Sequence, residues 1–175
     1  MLAHALGVDH QMWDSLAHRL AARHRVLRYD ARGHGGTTAP HGAYTLFQMA
    51  DDVAGLLDAL SIGQVHFVGL SMGGMIAQII AGRHPQRTLS LTSIFSSTGS
   101  RKVGQLAMSS MLMLIKPPAR TRYKAVQRYS AAMAHIGTQT YPVNDAARRA
   151  YAADAWDRGQ QAKDAEGMAR QLEAI

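Results

Sequence analysis

Val65-His66-Phe67-Val68-Gly69-Leu70-Ser71-Met72-Gly73-Gly74-Met75-Ile76-Ala77-Gln78-Ile79-Ile80 is the stretch that decides the fold. Val65 to Leu70 is a short apolar run of the kind buried in a parallel sheet. At Ser71 the period changes, since Met75, Ile76, Ile79 and Ile80 recur on one helical face and Pro85 closes the helix after His84. A chain that passes from strand to helix within one or two residues must turn sharply, and Gly69-Leu70-Ser71-Met72-Gly73 has the G-x-S-x-G spacing of such a turn. In isolation those five residues would be only a turn; the strand before and the helix after make the reading specific. Small residues must flank the serine because the backbone there is strained, which is why Gly69 and Gly73 bracket it. Ser71 Oγ is thereby pushed out above the sheet. The unpaired N–H of Met72, at the head of the helix, points where an oxyanion would form.

Working outward, Met12, Leu16 and Leu20 with Trp13 and Ala17 predict an amphipathic helix from Gln11 to Arg23. Arg25 to Asp30 predicts a short strand that ends in the loop Arg32-Gly33-His34-Gly35-Gly36. Thr45 and Gln48 have the form of a capping box that opens a helix running to about Leu60. Leu89 to Phe95 predicts the next buried strand. Strands alternating with helices imply a three-layer α/β fold with a parallel sheet and right-handed crossovers. Beyond Ser96-Ser97-Thr98-Gly99-Ser100 the strand signals cease, and helical stretches follow, broken at Pro117-Pro118, near Gly137 to Pro142 and around Gly159. The expected organisation is therefore an α/β core over residues 1–98, partial in its strands, and a helical cap or lid over residues 99–175.

Composition narrows the function. A chain of 175 residues that is 47% hydrophobic and 18% charged has the material for one buried core and is not a disordered segment. No apolar run reaches the roughly 18 to 20 residues of a membrane helix, and no basic leader precedes an apolar stretch, so a soluble cytoplasmic protein is expected. The absence of cysteine excludes disulfides, Cys-ligated zinc and thiol catalysis. No nucleotide-binding glycine loop or metal-ligand cluster is present, His4 and His10 being isolated, so neither cofactor nor metal is expected. The net charge of +7 is partly concentrated in Arg101, Lys102, Lys116, Arg120, Arg122, Lys124 and Arg128, a stretch without Asp or Glu. Only Tyr123 accompanies them, which argues against a nucleic-acid surface. They read either as a solvated face or as a field that draws an anionic substrate.

His4-Ala5-Leu6-Gly7, Met12-Trp13, Tyr29-Asp30-Ala31-Arg32-Gly33-His34-Gly35, the serine turn, Ser96-Ser97-Thr98-Gly99 and Ala169-Arg170-Gln171-Leu172 together resemble the α/β-hydrolase superfamily, from His4 to the end of the chain. The likeness is to its lid-bearing esterase and lactonase branch, 3-oxoadipate enol-lactonases more than aclacinomycin-type methylesterases. The resemblance implies Ser71 as catalytic nucleophile, the N–H groups of Leu6 and Met72 as oxyanion hole, and a small ester or lactone as substrate. Ala5 stands where the family usually has glycine, which alanine can replace while φ stays negative.

A serine hydroxyl needs a base to take its proton, and that base needs an acid to orient it. In the resembled family both lie beyond the lid, in the order Ser, acid, His. Only His84 and His135 follow Ser71 here, and Asp145, Asp154, Asp157, Asp164, Glu166 and Glu173 fall in predicted lid helices. His135 is read as a lid residue facing solvent or substrate, and His34 and His41 as structural hydrogen-bonding residues. The resemblance places Met1-Leu2-Ala3 between the strands ending at Asp30 and Leu70, so a strand cut short there should leave unpaired backbone groups costing about 1 to 3 kcal/mol each if buried. The sequence is thus expected to be a fragment. Two readings follow: a serine hydrolase of carboxylic esters or lactones as part of a complete chain, or a truncated or decayed homologue that binds a small ligand without catalysis.

Overall fold

One residue, Ser71, separates the strand ending at Leu70 from the helix beginning at Met72 in the computed structural model of the chain, which describes residues 1–100, 102, 104, 107–114, 119–138, 140–159 and 166–175. The chain divides into two units, Met1–Gly104 with Asp164–Ile175, and Gln105–Lys163. In the first unit β1 (Leu2–Ala3) is followed by a 3₁₀ turn (His10–Trp13) and α1 (Asp14–Ala21), then β2 (Arg28–Tyr29), α2 (Leu46–Ala59), β3 (Val65–Leu70), α3 (Met72–Arg83) and β4 (Thr88–Ile94). All strand pairs are parallel, in the order β2-β1-β3-β4.

Successive side chains of a strand point to opposite faces, and β3 uses both. Val65 and Phe67 join a core built with Met49, Val53 and Leu57 of α2 and Met72, Ile76 and Ile80 of α3. Val68 and Leu70 join Leu2, Trp13, Leu16, Ala17 and Leu20 on the α1 side. Helices therefore cover both faces, as the alternation of elements predicts. Each fully buried side chain of this size contributes about 1.5 to 3 kcal/mol.

The first helix is shorter than the Gln11–Arg23 span predicted. Asp9 accepts a hydrogen bond from Gln11 N at 2.9 Å and starts a 3₁₀ turn before the α-helix begins. Thr45 and Gln48 form the predicted capping box, with both reciprocal bonds at 3.1 Å.

Three expectations about the sheet are corrected. The gap expected in its middle is bridged: Leu2 and Ala3 pair with Arg28 and Tyr29 on one side and Val68 and Gly69 on the other, while Val68 N donates to Met1 O at 2.9 Å and Met1 N to His66 O at 2.7 Å. β2 is confined to Arg28–Tyr29 instead of Arg25–Asp30, because a ladder extends only as far as its partner and β1 offers two residues. β4 is not a buried strand. Among the described residues nothing pairs with its outer edge, and Leu89, Leu91 and Ile94 are 53%, 39% and 40% exposed.

The second unit is helical: α4 (Met108–Leu114), α5 (Arg122–Ile136) and α6 (Asp145–Gly159). Thr121 caps α5 by accepting from Lys124 N at 3.3 Å, and Asn144 caps α6 by accepting from Ala147 N at 2.9 Å. Tyr129 and Tyr151 pack with ring centroids 5.5 Å apart, and Arg122 holds Asp157 through a two-pronged ion pair. Gly137 ends α5 and Gly159 ends α6; Pro117-Pro118 lies outside the described residues.

The division thus falls after Gly104, where residue 98 was expected, and α7 (Glu166–Glu173) groups with the first unit and not with the second. Its hydrogen bonds give the reason. Gln171, fully buried, donates to Arg32 O, and Arg170 donates to Pro40 O at 3.1 Å, so α7 satisfies carbonyls of the loop after β2. Among the described residues no helix is long and apolar enough to cross a membrane.

Candidate active site

Ser71 has φ 52° and ψ −119°, a left-handed conformation that an L-residue holds at a cost of about 1 to 3 kcal/mol. The surroundings enforce it. Ser71 N donates to Ile94 O at 2.9 Å, and Ser71 O accepts from Gly74 N at 2.9 Å, Met75 N at 3.1 Å and Ser96 Oγ at 2.9 Å. A Cβ on Gly69 would lie 2.2 Å from Gly73 O, and one on Gly73 would lie 2.4 Å from Ala3 O and 2.6 Å from His4 O. The first turn of α3 therefore rests directly on the backbone of β3 and of the end of β1, which no other residue type at 69 or 73 would allow.

The turn after β1 is fixed by histidines. His4, only 2% exposed, accepts from Ala31 N through Nε2 at 2.9 Å, so Nδ1 carries the proton and donates to Ala5 O at 2.8 Å. Burial lowers its pKa, in keeping with a neutral ring. His34 stacks on it with ring centroids 5.4 Å apart and accepts from Gly7 N through Nε2 at 3.0 Å. Burial, then the adjacent His4, push His34 down to about 4. Ala5 is not among the positive-φ residues, so the alanine meets the condition under which it can replace glycine.

Asp30, at the end of β2, accepts from His10 N at 2.7 Å, His10 Nδ1 at 2.8 Å and Gly36 N at 3.0 Å. Burial works to raise its pKa, but these hydrogen bonds outweigh it and hold the carboxyl below its ordinary value. His4 and His10, isolated in the sequence, thus belong to one network with Asp30 and His34. Their partners Asp30, Ala31 and His34 lie 20 to 30 positions away and carry no periodic signal that a sequence reading could use.

Among the described residues the N–H groups of Leu6 and Met72 donate no hydrogen bond, which leaves both available to an acceptor. Ser71 Oγ likewise has no partner there. His84 caps the far end of α3, roughly 18 Å along the helix at 1.5 Å per residue. In the second unit, His135 Nε2 lies 3.3 and 3.2 Å from the hydroxyls of Ser109 and Ser110, Asp145 pairs with Arg148 and Arg149, and Asp157 pairs with Arg122. Arg101 and Lys116 of the basic stretch lie outside the described residues.

A family model described as alpha/beta hydrolase fold matches residues 1–165. The chain belongs to this family. Within it, this α/β hydrolase is 33% identical over 105 residues to 3-oxoadipate enol-lactonase 2 of Acinetobacter baylyi, an alignment covering 60% of this chain and 38% of that protein. It is 35% identical over 98 residues to the pimeloyl-[acyl-carrier protein] methyl ester esterase of Aeromonas hydrophila, covering 55% and 37%. The solved enol-lactonase of Burkholderia xenovorans superposes with a TM-score of 0.74 at 32% identity, covering 99% of this chain and 63% of that one. The α/β hydrolase chain therefore spans less than two thirds of the length of each relative.

Proposed function

We propose that Ser71 is the nucleophile of a hydrolase that opens carboxylic esters or lactones through an acyl-enzyme. One observation carries this: a serine, and not a glycine, occupies a left-handed backbone position that Gly69, Gly73 and four hydrogen bonds enforce. Strain kept at a residue with a nucleophilic side chain argues for chemistry there. In the reaction Ser71 Oγ bonds to the carbonyl carbon, and the oxyanion takes the N–H groups of Met72 and Leu6. The C–O bond to the alcohol then breaks, and the serine proton passes by way of a base to the departing alkoxide. Water repeats the attack, releases the acid and restores the hydroxyl; with a lactone the alcohol stays attached to the released acid.

The relatives named as an enol-lactonase and a methyl ester esterase support this substrate class. By the resemblance, the base and its acid lie beyond the helical segment, in a part of those relatives that these 175 residues do not cover. In the full-length protein a fluorophosphonate probe should label Ser71, identified by peptide mapping, and Ser71→Ala should abolish both labelling and turnover. No labelling at Ser71 would sink the assignment.

A second reading has its own observation: among the described residues of the first unit neither a histidine nor a carboxylate contacts Ser71 Oγ. On that reading the protein binds a small ligand without turning it over, and any ester turnover lost in Ser71→Ala excludes it. We assign the basic stretch a steering role toward anionic substrates, weakened by the ion pair that already occupies Arg122. It requires kcat/KM for an anionic ester to fall more steeply with salt than for a neutral analogue. The lack of cysteine fits a cytoplasmic site of action, which fractionation of the source cells tests.

A further inference from the structure

Resting on Ser71 as nucleophile, we propose that His34 is a positioning residue which, stacked on His4, clamps the two peptide groups flanking Leu6 and so aims the Leu6 N–H at the oxyanion. The peptide between Ala5 and Leu6 is planar and trans, so its C=O and N–H point in opposite directions. His4 Nδ1–H holds that C=O at 2.8 Å and thereby sets the direction of the Leu6 N–H. The next peptide, between Leu6 and Gly7, is held from its N–H by His34 Nε2 at 3.0 Å, with Gly7 at φ 75°. The two rings lie 5.4 Å apart with planes inclined by 25°, so each limits the movement of the other. His4 is in turn tied to the loop after β2 by Ala31 N.

Both rings must be neutral to act in this way, because each uses Nε2 as an acceptor and a protonated imidazole has none. The charged and titratable groups facing the pair are Asp9 and His10 from the turn after β1, and Tyr29 and Asp30 from β2 and its end. Asp9 and Asp30 favour protonation, and burial outweighs them at both rings. A clamp of this kind acts on a donor used only in the transition state, so its loss should appear in kcat and not in KM.

The test uses the full-length protein with a soluble ester at pH 8. His34→Leu, which keeps bulk but removes the acceptor, should lower kcat about tenfold or more with KM within about twofold, short of the roughly 10² to 10³ loss expected from deleting an oxyanion donor. His34→Gln, whose amide oxygen can accept from Gly7 N, should recover most of that loss. Equal kcat in His34→Leu and the wild type overturns the clamp while leaving the serine reading intact. Absence of turnover in the wild type overturns the serine reading instead. Nitrogen NMR of the ring, which needs neither activity nor a variant, should find His34 neutral and protonated on Nδ1 at pH 5.5. A proton on Nε2, or an ordinary titration near pH 6.5, refutes the clamp independently.

Discussion

Four glycines near or within α3 allow the packing argument to be graded in advance. Gly69→Ala places a methyl group 2.2 Å from Gly73 O, and Gly73→Ala places one 2.4 Å from Ala3 O. Carbon and oxygen do not approach within about 3 Å, and these neighbours are backbone of β1 and α3, which cannot rotate away. Overpacking typically costs 1 to 3 kcal/mol, and rigid backbone on both sides puts these two substitutions at about 3 kcal/mol or above. At Gly74 the methyl meets the Ser93 and Ser96 hydroxyls at 2.8 Å, which can change rotamer, and Ser96 Cβ at 2.7 Å, which moves only with its loop backbone, so about 2 kcal/mol is expected. Gly82, in the same helix with nothing within 4 Å of its Cβ position, should gain about 0.5 to 1 kcal/mol as alanine from helix propensity. Urea unfolding of the four variants, compared at equal m-value, supplies the ranking. Stability should fall in the order Gly82→Ala, wild type, Gly74→Ala, then Gly73→Ala and Gly69→Ala. A Gly69→Ala protein within about 0.5 kcal/mol of wild type would refute the claim that contact between β3 and the first turn of α3 excludes a side chain.

Other perturbations separate strain, capping and charge. Ser71→Gly should be more stable than Ser71→Ala by about 1 kcal/mol, because only glycine relieves φ 52° while both remove the hydroxyl; equal urea midpoints would mean that the position is unstrained. Thr45→Ala removes the acceptor for Gln48 N and should cost about 0.5 to 2 kcal/mol, read from the same unfolding curves. The folded-state pKa of His34, about 4, lies below its ordinary value of 6.5, so between these pH values the unfolded chain binds more protons and stability must rise with pH. About 3 kcal/mol is lost on going from pH 6.5 to 4 through this group. Asp30, depressed in the folded state, continues the loss below the ordinary carboxylate range. His34→Gln should flatten the upper part of this acid limb and leave the lower part in place, as unfolding midpoints measured from pH 7 to 3 will show.

The parts of this fold that were legible in the sequence are those governed by local periodicity. The run Val65–Leu70, the helical face of Met75, Ile76, Ile79 and Ile80 and the Thr45/Gln48 box each carry their information within a few residues, and the structure forms all three. β4 shows where this reasoning stops. Its apolar residues indicate what a neighbour would bury, but exposure depends on what lies beyond the strand edge, and that is not encoded in Thr88–Ile94. The same holds for α7, whose place is set by Gln171 and Arg170 finding carbonyls some 130 positions earlier. Around Ser71 the glycine spacing made the turn geometry readable, and His34 is the hydrogen-bonding residue expected, whereas its partners and the places of His4 and His10 beside it were not readable. Contacts between residues 4, 7, 10, 30 and 34 arise only after β1 has been threaded between β2 and β3.

That threading explains why two residues of β1 matter beyond their length. Gly73 lies against the carbonyls of Ala3 and His4, so the first turn of α3, with the Met72 N–H, is seated on the last residues of β1. The Leu6 N–H, three residues further on, is set by His4 through Ala5 O. Both proposed donors are thereby referenced to one backbone contact between β1 and α3, although they belong to different elements. An oxyanion hole works because its donors are fixed before the charge develops, and reorganisation at that moment would cost what the hydrogen bonds gain. A glycine at 73 allows the contact, a neutral His4 transmits it and His34 keeps the turn from relaxing. The strain at Ser71 persists for the same reason, since Ile94 O, Ser96 Oγ and the amides of Gly74 and Met75 leave its backbone no alternative.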